Sequence, residues 1–360
     1  MNWLFRELVE VSLGNRLTLS RVPTDSEWEE AYEIAAKHAV IGLLLTALEK
    51  INKTQNATMP PKELLYQWMG EVLNTETQNK KLNEAAEQLT RIFKNGGLRS
   101  CVLKGQGIAR AYPQPLRRQS GDIDLWVEGK REDTIRFLHD SCFGTGRVVI
   151  HHVDARMIEG VETEIHFIPV YAYNPVLHYK LQRFFKEHGD EQFSHYDDEL
   201  GFSYPTNSFN AVYVLAHIYM HFLYEGIGLR QLIDYYYVLN ALTKEQREQA
   251  TDDIKRSGLT KIAGAVMFVL SEVCNMKEEL MIAKPDNKRG TLLLSEIERS
   301  GNFGKYDERL KNRDGSNRIL FNLVALKRQL RFLKYFPMDV ISIPFFKTGH
   351  WCWRKMKGYL

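Results

Sequence analysis

Cysteine is scarce in this chain of 360 residues, and the few that occur are scattered. The four cysteines are Cys101, Cys142, Cys274 and Cys352, and no two of them have the Cys-x-x-Cys spacing of a zinc or redox site. A small secreted domain held together by disulfides needs a denser set. The cysteines therefore favour reduced thiols in a cytosolic protein over a disulfide framework or a zinc site.

Long hydrophobic runs are also missing. No stretch approaches the roughly 18–20 apolar residues that a helix needs to cross a membrane. The first apolar stretch, from Met1 to Leu8, contains Arg6 and Glu7 and therefore lacks the pattern of a secretory signal. We expect a cytoplasmic protein that does not act in a membrane.

An excess of one charge is the third thing that the chain lacks. It has 48 Lys and Arg residues against 45 Asp and Glu residues, a formal net charge of +3. Such a balance gives no strong signal of nucleic-acid binding, although it does not exclude a local basic patch. The hydrophobic fraction of 44% and the charged fraction of 26% are typical of a soluble globular protein, and the length favours two or three structural units.

Three regions of the chain differ in their residue patterns. Residues 1–97 predict a helical region, with one helix from about Ser26 to Leu48 and another from about Lys62 to Lys94. Residues 98–205 predict a small α/β core. Residues 206–360 predict a C-terminal helical domain. The predicted elements there are helices at 209–224, 229–242, 259–274 and 317–334, and a glycine-rich, charged mobile connection or lid at 284–316.

The most informative stretch lies between residues 101 and 127. Cys101 to Leu103 predicts a buried strand, which ends at Lys104 and Gly105 before a short helix. The segment Asp122-Ile-Asp-Leu-Trp-Val127 predicts a second strand. Asp122 and Asp124 share one face of that strand and lie about 7 Å apart along it. Paired carboxylates repel each other and lose hydration unless a cation lies between them, so the pair predicts a divalent metal site.

A third carboxylate follows on a later strand. Residues 131–142 predict a helix, and residues 148–157 and 161–170 predict two strands joined by a turn at 159–160. Glu162, Glu164 and His166 share a face of the second strand. We predict Glu164 as the third metal ligand, with Glu162 as its rival and His166 as a structural neighbour. The mixed order of strands and helices predicts an α+β fold, a small mixed sheet with flanking helices plus helical regions at both ends.

A glycine-rich turn next to these acids suits a phosphate. The segment Gly105-Gln106-Gly107 opens the predicted short helix, and a helix N-terminus offers free N–H groups to an anion. Lys104 and Arg118 could contact phosphate oxygens, with Arg117 as the alternative arginine. Mg²⁺, or Mn²⁺, prefers hard oxygen ligands such as carboxylates and phosphates, and two such ions would activate an attacking oxygen and stabilise a leaving pyrophosphate.

Together these residues resemble the DNA polymerase β-type nucleotidyltransferase superfamily, and more closely a bacterial family described as uncharacterised nucleotidyltransferases. The shared motifs are Leu103-Lys104-Gly105, Tyr112-Pro-Gln-Pro115, Arg118, Asp122-Ile-Asp-Leu125 and Glu164-Ile-His166. Outside the sheet, Ala36-Lys-His-Ala-Val40, His217-Ile-Tyr-Met-His221 and Leu229-Arg-Gln-Leu-Ile-Asp234 are similar as well. The resemblance covers about residues 25–240.

The resemblance implies an enzyme that transfers a nucleoside monophosphate from an NTP, with ATP as the expected donor, to an acceptor and releases pyrophosphate. The acceptor could be a small molecule, a protein or an RNA end. The implied metal ligands and catalytic residues are Asp122, Asp124 and Glu164. The implied nucleotide-binding residues are Lys104, Gly105, Gln106, Gly107, Arg118, Ser120 and Gly121.

One departure from the superfamily keeps two alternatives open. The superfamily usually has Gly-Ser at the phosphate-binding turn, where this chain has Gly105-Gln106. A catalytically inactive module that binds a nucleotide or a partner would explain that change, and a kinase-like phosphotransferase could use the same metal site. Three intact carboxylates argue against the inactive module, because buried acids without a role are costly.

Other histidines are interpreted structurally. His217 and His221 lie four residues apart, as do Arg230 and Asp234, and both pairs predict a buried polar network that docks helix against helix. His151 and His152, with Asp154, could suggest a metal, but a hairpin strand with solvent-facing histidines is the preferred interpretation.

Overall fold

The computed structural model describes residues 1–54, 59–310, 324 and 326–359. The chain is 64% helical and contains a mixed five-stranded sheet with flanking helices, which confirms the predicted α+β fold. No helix in the described ranges is long and apolar enough to cross a membrane.

The sheet has the strand order β1-β2-β5-β4-β3. β2 and β5 run parallel, and every other neighbouring pair is antiparallel. The parallel pair needs a long crossover, which the intervening helix and hairpin supply. The strands are β1 (Ser100–Leu103), β2 (Ile123–Val127), β3 (Gly144–Val148), β4 (His152–Arg156) and β5 (Thr163–His166).

The strands of the second half of the sheet differ from the predicted ones in their bounds and in their number. The predicted strand at 148–157 is observed as β4, which begins at His152, and the one at 161–170 is observed as the shorter β5. The sequence prediction missed β3, which forms the sheet edge. Its residues from Gly144 to Arg147 are exposed, so β3 lacks the alternation of apolar and polar residues that marks a half-buried strand.

The N-terminal helices pack against the sheet and against one another. The single helix predicted from Ser26 to Leu48 is in fact two, because Ala39 adopts a left-handed conformation with φ 58°. The N–H of Val40 then donates to Ala35 O, which closes the C-terminal end of the helix Asp25–His38. The helices here are α1 (Trp3–Leu13), α2 (Asp25–His38), α3 (Ile41–Thr54) and α4 (Lys62–Asn95).

The central and C-terminal helices complete the chain. The prediction of a mobile connection or lid is wrong over residues 287–300, which form a helix; residues 311–316 lie outside the described part. Of the helix predicted at 317–334, residues 324 and 326–330 are helical and residues 331–334 form turns, while residues 317–323 and 325 lie outside the described part. The helices are α5 (Gly105–Ala109), α6 (Arg131–Asp140), α7 (Pro175–Ser194), α8 (Asn207–Tyr224), α9 (Leu229–Asn240), α10 (Lys244–Ser257), α11 (Thr260–Cys274), α12 (Asn287–Ser300) and α13 (Pro337–Met356).

Two apolar cores lie on the two faces of the sheet. Ile123, Leu125 and Ile165 point into a core shared with the C-terminal half of α4. On the opposite face, Trp126 belongs to a larger core that runs without interruption through the N-terminal and C-terminal helices, and its ring stacks on Phe209 of α8. Asp124 shares the face of Trp126 and therefore points toward α8. The division of the chain at residues 97 and 205 stays a prediction.

A buried ion pair ties the loop before β2 to α9. Arg118 donates from Nε and Nη2 to the two carboxylate oxygens of Asp234, each at 2.7 Å, and Tyr112 donates its hydroxyl to the same carboxylate at 2.7 Å. Arg230 donates to the carbonyl of Gln119. The predicted polar network is therefore buried, but it joins α9 to this loop rather than one helix to another.

We expect Asp234→Ala to lower the free energy of unfolding by about 3–5 kcal/mol, because it leaves the Arg118 guanidinium buried without a counterion. Urea denaturation followed by circular dichroism measures the change. Glu128→Ala is the matched control, since it removes a carboxylate from the exposed Arg99 and should cost about 1 kcal/mol or less. Equal losses in the two variants would contradict the prediction.

A second buried contact joins the N-terminal helices to α9. The backbone N–H of Leu229 donates to His38 Nδ1 at 3.4 Å. Burial, with smaller contributions from Lys37 and the N-terminal ammonium, lowers the pKa of His38 to about 3. The unfolded chain, where the group has its ordinary pKa of about 6.5, then binds more protons than the folded one between these two values. Acidification through that window must therefore weaken the fold.

We expect His38→Gln to flatten this pH dependence. Between about pH 7 and pH 4.5 the wild type should lose about 2–3 kcal/mol more of its free energy of unfolding than the variant does. Urea denaturation at several pH values measures the difference in slope, which is independent of the variant's overall stability. The matched control is His139→Gln on the solvent-exposed end of α6. If His38→Gln left the pH dependence of the free energy of unfolding unchanged, the acid sensitivity could not be assigned to His38.

Candidate active site

Three carboxylates converge on one face of the sheet. Asp124 on β2 lies opposite Glu164 on β5 in the parallel register, and Asp122 immediately precedes β2. One oxygen from each of the three carboxylates lies within 4.8 Å of the others. Asp124 is buried, whereas Asp122 and Glu164 are partly exposed. The sequence prediction thus chose three acids that the fold does bring together, while Glu162 is exposed and precedes β5.

The charges of this cluster fit a divalent cation. Asp124, and then burial, raise the pKa of Asp122 above its usual value, which is the result expected of two like charges held close together. Burial would likewise raise the pKa of Asp124, but Lys104 and His166 hold it below its ordinary value. Carboxylate oxygens are the hard ligands that Mg²⁺ and Mn²⁺ prefer. The donors present therefore suit such an ion.

Lys104 is the cation of the cluster. It follows β1 directly and has an unusual positive φ of 49°, which marks the sharp turn between the strand and α5. Its Nζ lies 2.9 Å from Asp124 Oδ1 and 2.9 Å from His217 Nε2 on α8. Burial alone would lower the pKa of Lys104, but the three carboxylates together raise it. The Lys104 ammonium therefore offsets the acidic charge rather than extending into solvent.

His166 is the second positive group of the cluster. Its Nε2 lies 3.0 Å from Asp124 Oδ1 and 3.3 Å from Glu164 Oε2, and its Nδ1 lies 3.3 Å from the carbonyl oxygen of Ile168. Burial opposes the charged form, but the two carboxylates raise the pKa of His166 to about 9. His166 thus bridges the acids of β2 and β5.

The predicted phosphate-binding turn adopts a tight conformation for reasons of packing. Gly105 has φ 36°, and α5 has only five residues. A Cβ on Gly107 would lie 2.8 Å from Tyr204 Cβ and 3.0 Å from the carbonyl oxygen of Val102, so only glycine fits there. Gln106 turns away from the acids, and its Nε2 donates to Asn79 and Asn83 of α4.

The remaining predicted nucleotide-binding residues lie in the loop before β2. The guanidinium of Arg118 forms an ion pair with Asp234, and its Nη1 donates to Ser120 Oγ at 3.0 Å. The alternative, Arg117, pairs with Glu49 and Glu76. Gly121 is exposed, with open space where a Cβ would stand. In this structure neither arginine is free to reach a phosphate near Asp124, so their nucleotide contacts stay a prediction.

Histidines that the sequence analysis placed elsewhere surround the acids. The solvent-facing interpretation is wrong for His152, whose side chain is 12% exposed and whose Nδ1 lies 3.1 Å from Glu164 Oε2. The antiparallel register pairs His152 with His166, so both imidazoles share the face of Glu164. On α8, His217 and His221 approach each other at 2.9 Å between their Nε2 atoms. Burial, and then Lys104, lower the pKa of His217 well below its usual value.

A mixed sheet that brings carboxylates from neighbouring strands together beside a glycine turn is the arrangement that the resemblance to nucleotidyltransferases implies. The chain belongs to the family of uncharacterised nucleotidyltransferases, because the family's model matches residues 24–275. This range is more than half of the chain and includes Asp122, Asp124 and Glu164. Membership implies a general role in nucleotidyl transfer. No curated protein and no solved structure matches the chain.

The two aspartates should respond differently to neutralisation in metal-free buffer. Asp124→Asn leaves Lys104 and His166 without their shared partner, and we expect the free energy of unfolding to fall by about 1–3 kcal/mol. Asp122→Asn removes a repulsion and should not lower it. Urea denaturation in the presence of a chelator measures both variants. An equal loss of unfolding free energy in the two variants would contradict the different charge environments assigned to Asp122 and Asp124.

Proposed function

We propose that this protein is an Mg²⁺-dependent nucleotidyltransferase that moves a nucleoside monophosphate from an NTP, with ATP as the expected donor, to an acceptor and releases pyrophosphate. The convergence of Asp122, Asp124 and Glu164 within one site, in a member of a nucleotidyltransferase family, is the observation that supports this proposal. Both the fold and the chemistry of the donor atoms suit it.

Asp122, Asp124 and Glu164 are the proposed ligands of the metal ion or ions. When bound, the metal supplies charge for the phosphates, activation of the acceptor oxygen and stabilisation of the leaving pyrophosphate. Glu164 has a second proposed role in accepting the proton of the acceptor. Its side chain is 31% exposed, whereas that of Asp124 is 3% exposed, so an acceptor can reach Glu164 more readily.

Lys104 is the proposed phosphate-binding cation. An ammonium group has three donors. In this structure one faces Asp124, and a second faces His217, which accepts it because its low pKa keeps the imidazole neutral. The third donor is proposed to pair with a phosphate oxygen of the nucleotide. Gly105 is proposed to let the backbone approach the same phosphates, whereas Gly107 is buried against Tyr204 and Val102 and is proposed to shape the turn.

Nucleotide binding without turnover is the second candidate, and the orientation of Gln106 favours it. The side chain at this position is committed to Asn79 and Asn83, so no hydroxyl faces the phosphate position as the usual serine would. Phosphoryl transfer of the kinase type is a third outcome that the same carboxylates could support. The identity of the released product separates all three.

Calorimetric titration of ATP, GTP, CTP and UTP with Mg²⁺ into the full-length protein is the first test. We expect binding that requires Mg²⁺ and that is lost in an Asp122→Ala/Asp124→Ala double variant. Glu162→Ala is the matched control, because it removes a carboxylate just before β5 without touching the cluster, and it should bind like the wild type. Product analysis with candidate acceptors (small hydroxylated molecules, sugar phosphates, protein or RNA ends) follows.

The products that are released distinguish the three candidate functions. Pyrophosphate release that depends on Asp122 and Asp124 supports nucleotidyl transfer, whereas release of a nucleoside diphosphate supports a kinase. Metal-dependent binding without either product supports the binding module. Binding that survives in the double variant would overturn the assignment of these carboxylates, and so would equal loss in Glu162→Ala.

A further inference from the structure

We propose that His152, Glu164 and His166 form a second metal site that takes a divalent transition metal such as Zn²⁺ or Co²⁺. Its ligand atoms are imidazole nitrogens and one carboxylate oxygen, in contrast to the all-carboxylate set of Asp122, Asp124 and Glu164. The two sites share Glu164. The new site does not require that the protein transfer nucleotides.

Sheet register creates this cluster. In the antiparallel pair β4–β5, His152 lies opposite His166 and Asp154 lies opposite Glu164. The two imidazole rings lie side by side, with centroids 5.3 Å apart. One potential ligand atom from each of His152, Glu164 and His166 lies within 4.8 Å of the others. Strands hold side chains more rigidly than loops do, which favours a defined coordination geometry.

Two of the three distances between the ligand atoms match those between ligands around one tetrahedral ion. His152 Nδ1 lies 3.1 Å from Glu164 Oε2, and His166 Nε2 lies 3.3 Å from the same oxygen. Zinc holds nitrogen and oxygen ligands at about 2.0–2.1 Å, so that two ligands of a tetrahedral ion stand about 3.3 Å apart. An ion bound there would take the place of the present contact between His166 Nε2 and Asp124 Oδ1, which are 3.0 Å apart.

The outer nitrogens of both rings already have the contacts that metal-bound histidines make. His166 Nδ1 faces the carbonyl oxygen of Ile168 at 3.3 Å, and His152 Nε2 faces Asp154 Oδ1 at 3.2 Å. Such acceptors hold the proton on the outer nitrogen and direct the lone pair of the inner nitrogen toward a metal. When His166 is neutral, the inner nitrogens of both rings face the Glu164 carboxylate, and a cation between them removes the repulsion of the lone pairs.

The donor set also indicates which metal would bind. His151 Nε2 also lies 3.0 Å from His152 Nδ1, but it is not one of the ligand atoms that lie within 4.8 Å of one another, so the donor set is two imidazoles and one carboxylate. Imidazole-rich sites suit zinc, cobalt, nickel and iron, whereas Mg²⁺ prefers sites made of oxygen. A second proton on His166 would satisfy Asp124 and Glu164 without any transition metal, and the experiment must separate these two explanations.

Metal titration of the metal-stripped full-length protein tests the proposal. Co²⁺ is added in the presence of excess Mg²⁺, and binding is followed by the visible absorption of nitrogen-coordinated Co²⁺ and by metal analysis after dialysis. The variants are His152→Ala, Asp122→Asn and, as the matched control, His139→Ala on α6. His152→Asn provides a second variant if the alanine variant does not fold, and circular dichroism checks each protein.

We expect the wild type and His139→Ala to bind one equivalent of Co²⁺, and His152→Ala to bind it about 10–100-fold more weakly. Asp122→Asn should keep the Co²⁺ signal while it loses Mg²⁺-dependent ATP binding. Unchanged Co²⁺ affinity in folded His152→Ala or His152→Asn would overturn the site. Loss of Co²⁺ in Asp122→Asn would overturn it too, because the ion would then lie among the carboxylates. A wild type that binds Co²⁺ but no NTP would contradict the proposed function alone.

Discussion

The charge balance around Asp124 is the constraint on which the centre of this protein depends. A carboxylate that is almost completely buried in the middle strands of a sheet is costly unless cations pair with it. Lys104 and His166 provide that pairing from opposite sides, one from the end of β1 and one from β5. Because His166 is itself buried and the side chain of Lys104 is only 20% exposed, each depends on Asp124 in return. The three groups therefore fix how β1, β2 and β5 meet.

The surrounding helices keep this charged group in place. α8 covers the acidic face of the sheet, where its neutral His217 accepts from Lys104 and its Phe209 stacks on Trp126. α9 holds the loop before β2 through the pair of Asp234 with Arg118. The centre is thus enclosed by elements from distant parts of the chain. Its rigidity comes from these contacts, since α5, with five residues, is too short to provide it.

Much of this site could be predicted because its residues lie on regular strands. Alternation along β2 places Asp122 and Asp124 on one face, and the motif around Glu164 identifies the third acid. Residue type and spacing were therefore sufficient to choose these three carboxylates. The partners were not predictable in the same way. That Lys104 pairs with Asp124, that Arg118 pairs with Asp234 and that His152 faces Glu164 all follow from tertiary register, which no local pattern contains. The exposed strand β3 was missed because it lacks the apolar alternation of a half-buried strand, and the break at Ala39 was missed because an alanine in the left-handed conformation leaves no mark on a helical apolar pattern.

The large core that joins both ends of the chain has a consequence for how the protein is made. α1 packs against α11, and the side chain of Asn15 donates to the carbonyl of Cys274, far away in sequence. During synthesis α1 can already pack against α2 and α3, but the apolar faces of these helices lack part of their native cover until α11 has left the ribosome. Contacts of such long sequence separation slow folding and leave apolar surface open to aggregation in the meantime. The nascent chain should be a substrate for chaperones throughout most of its translation.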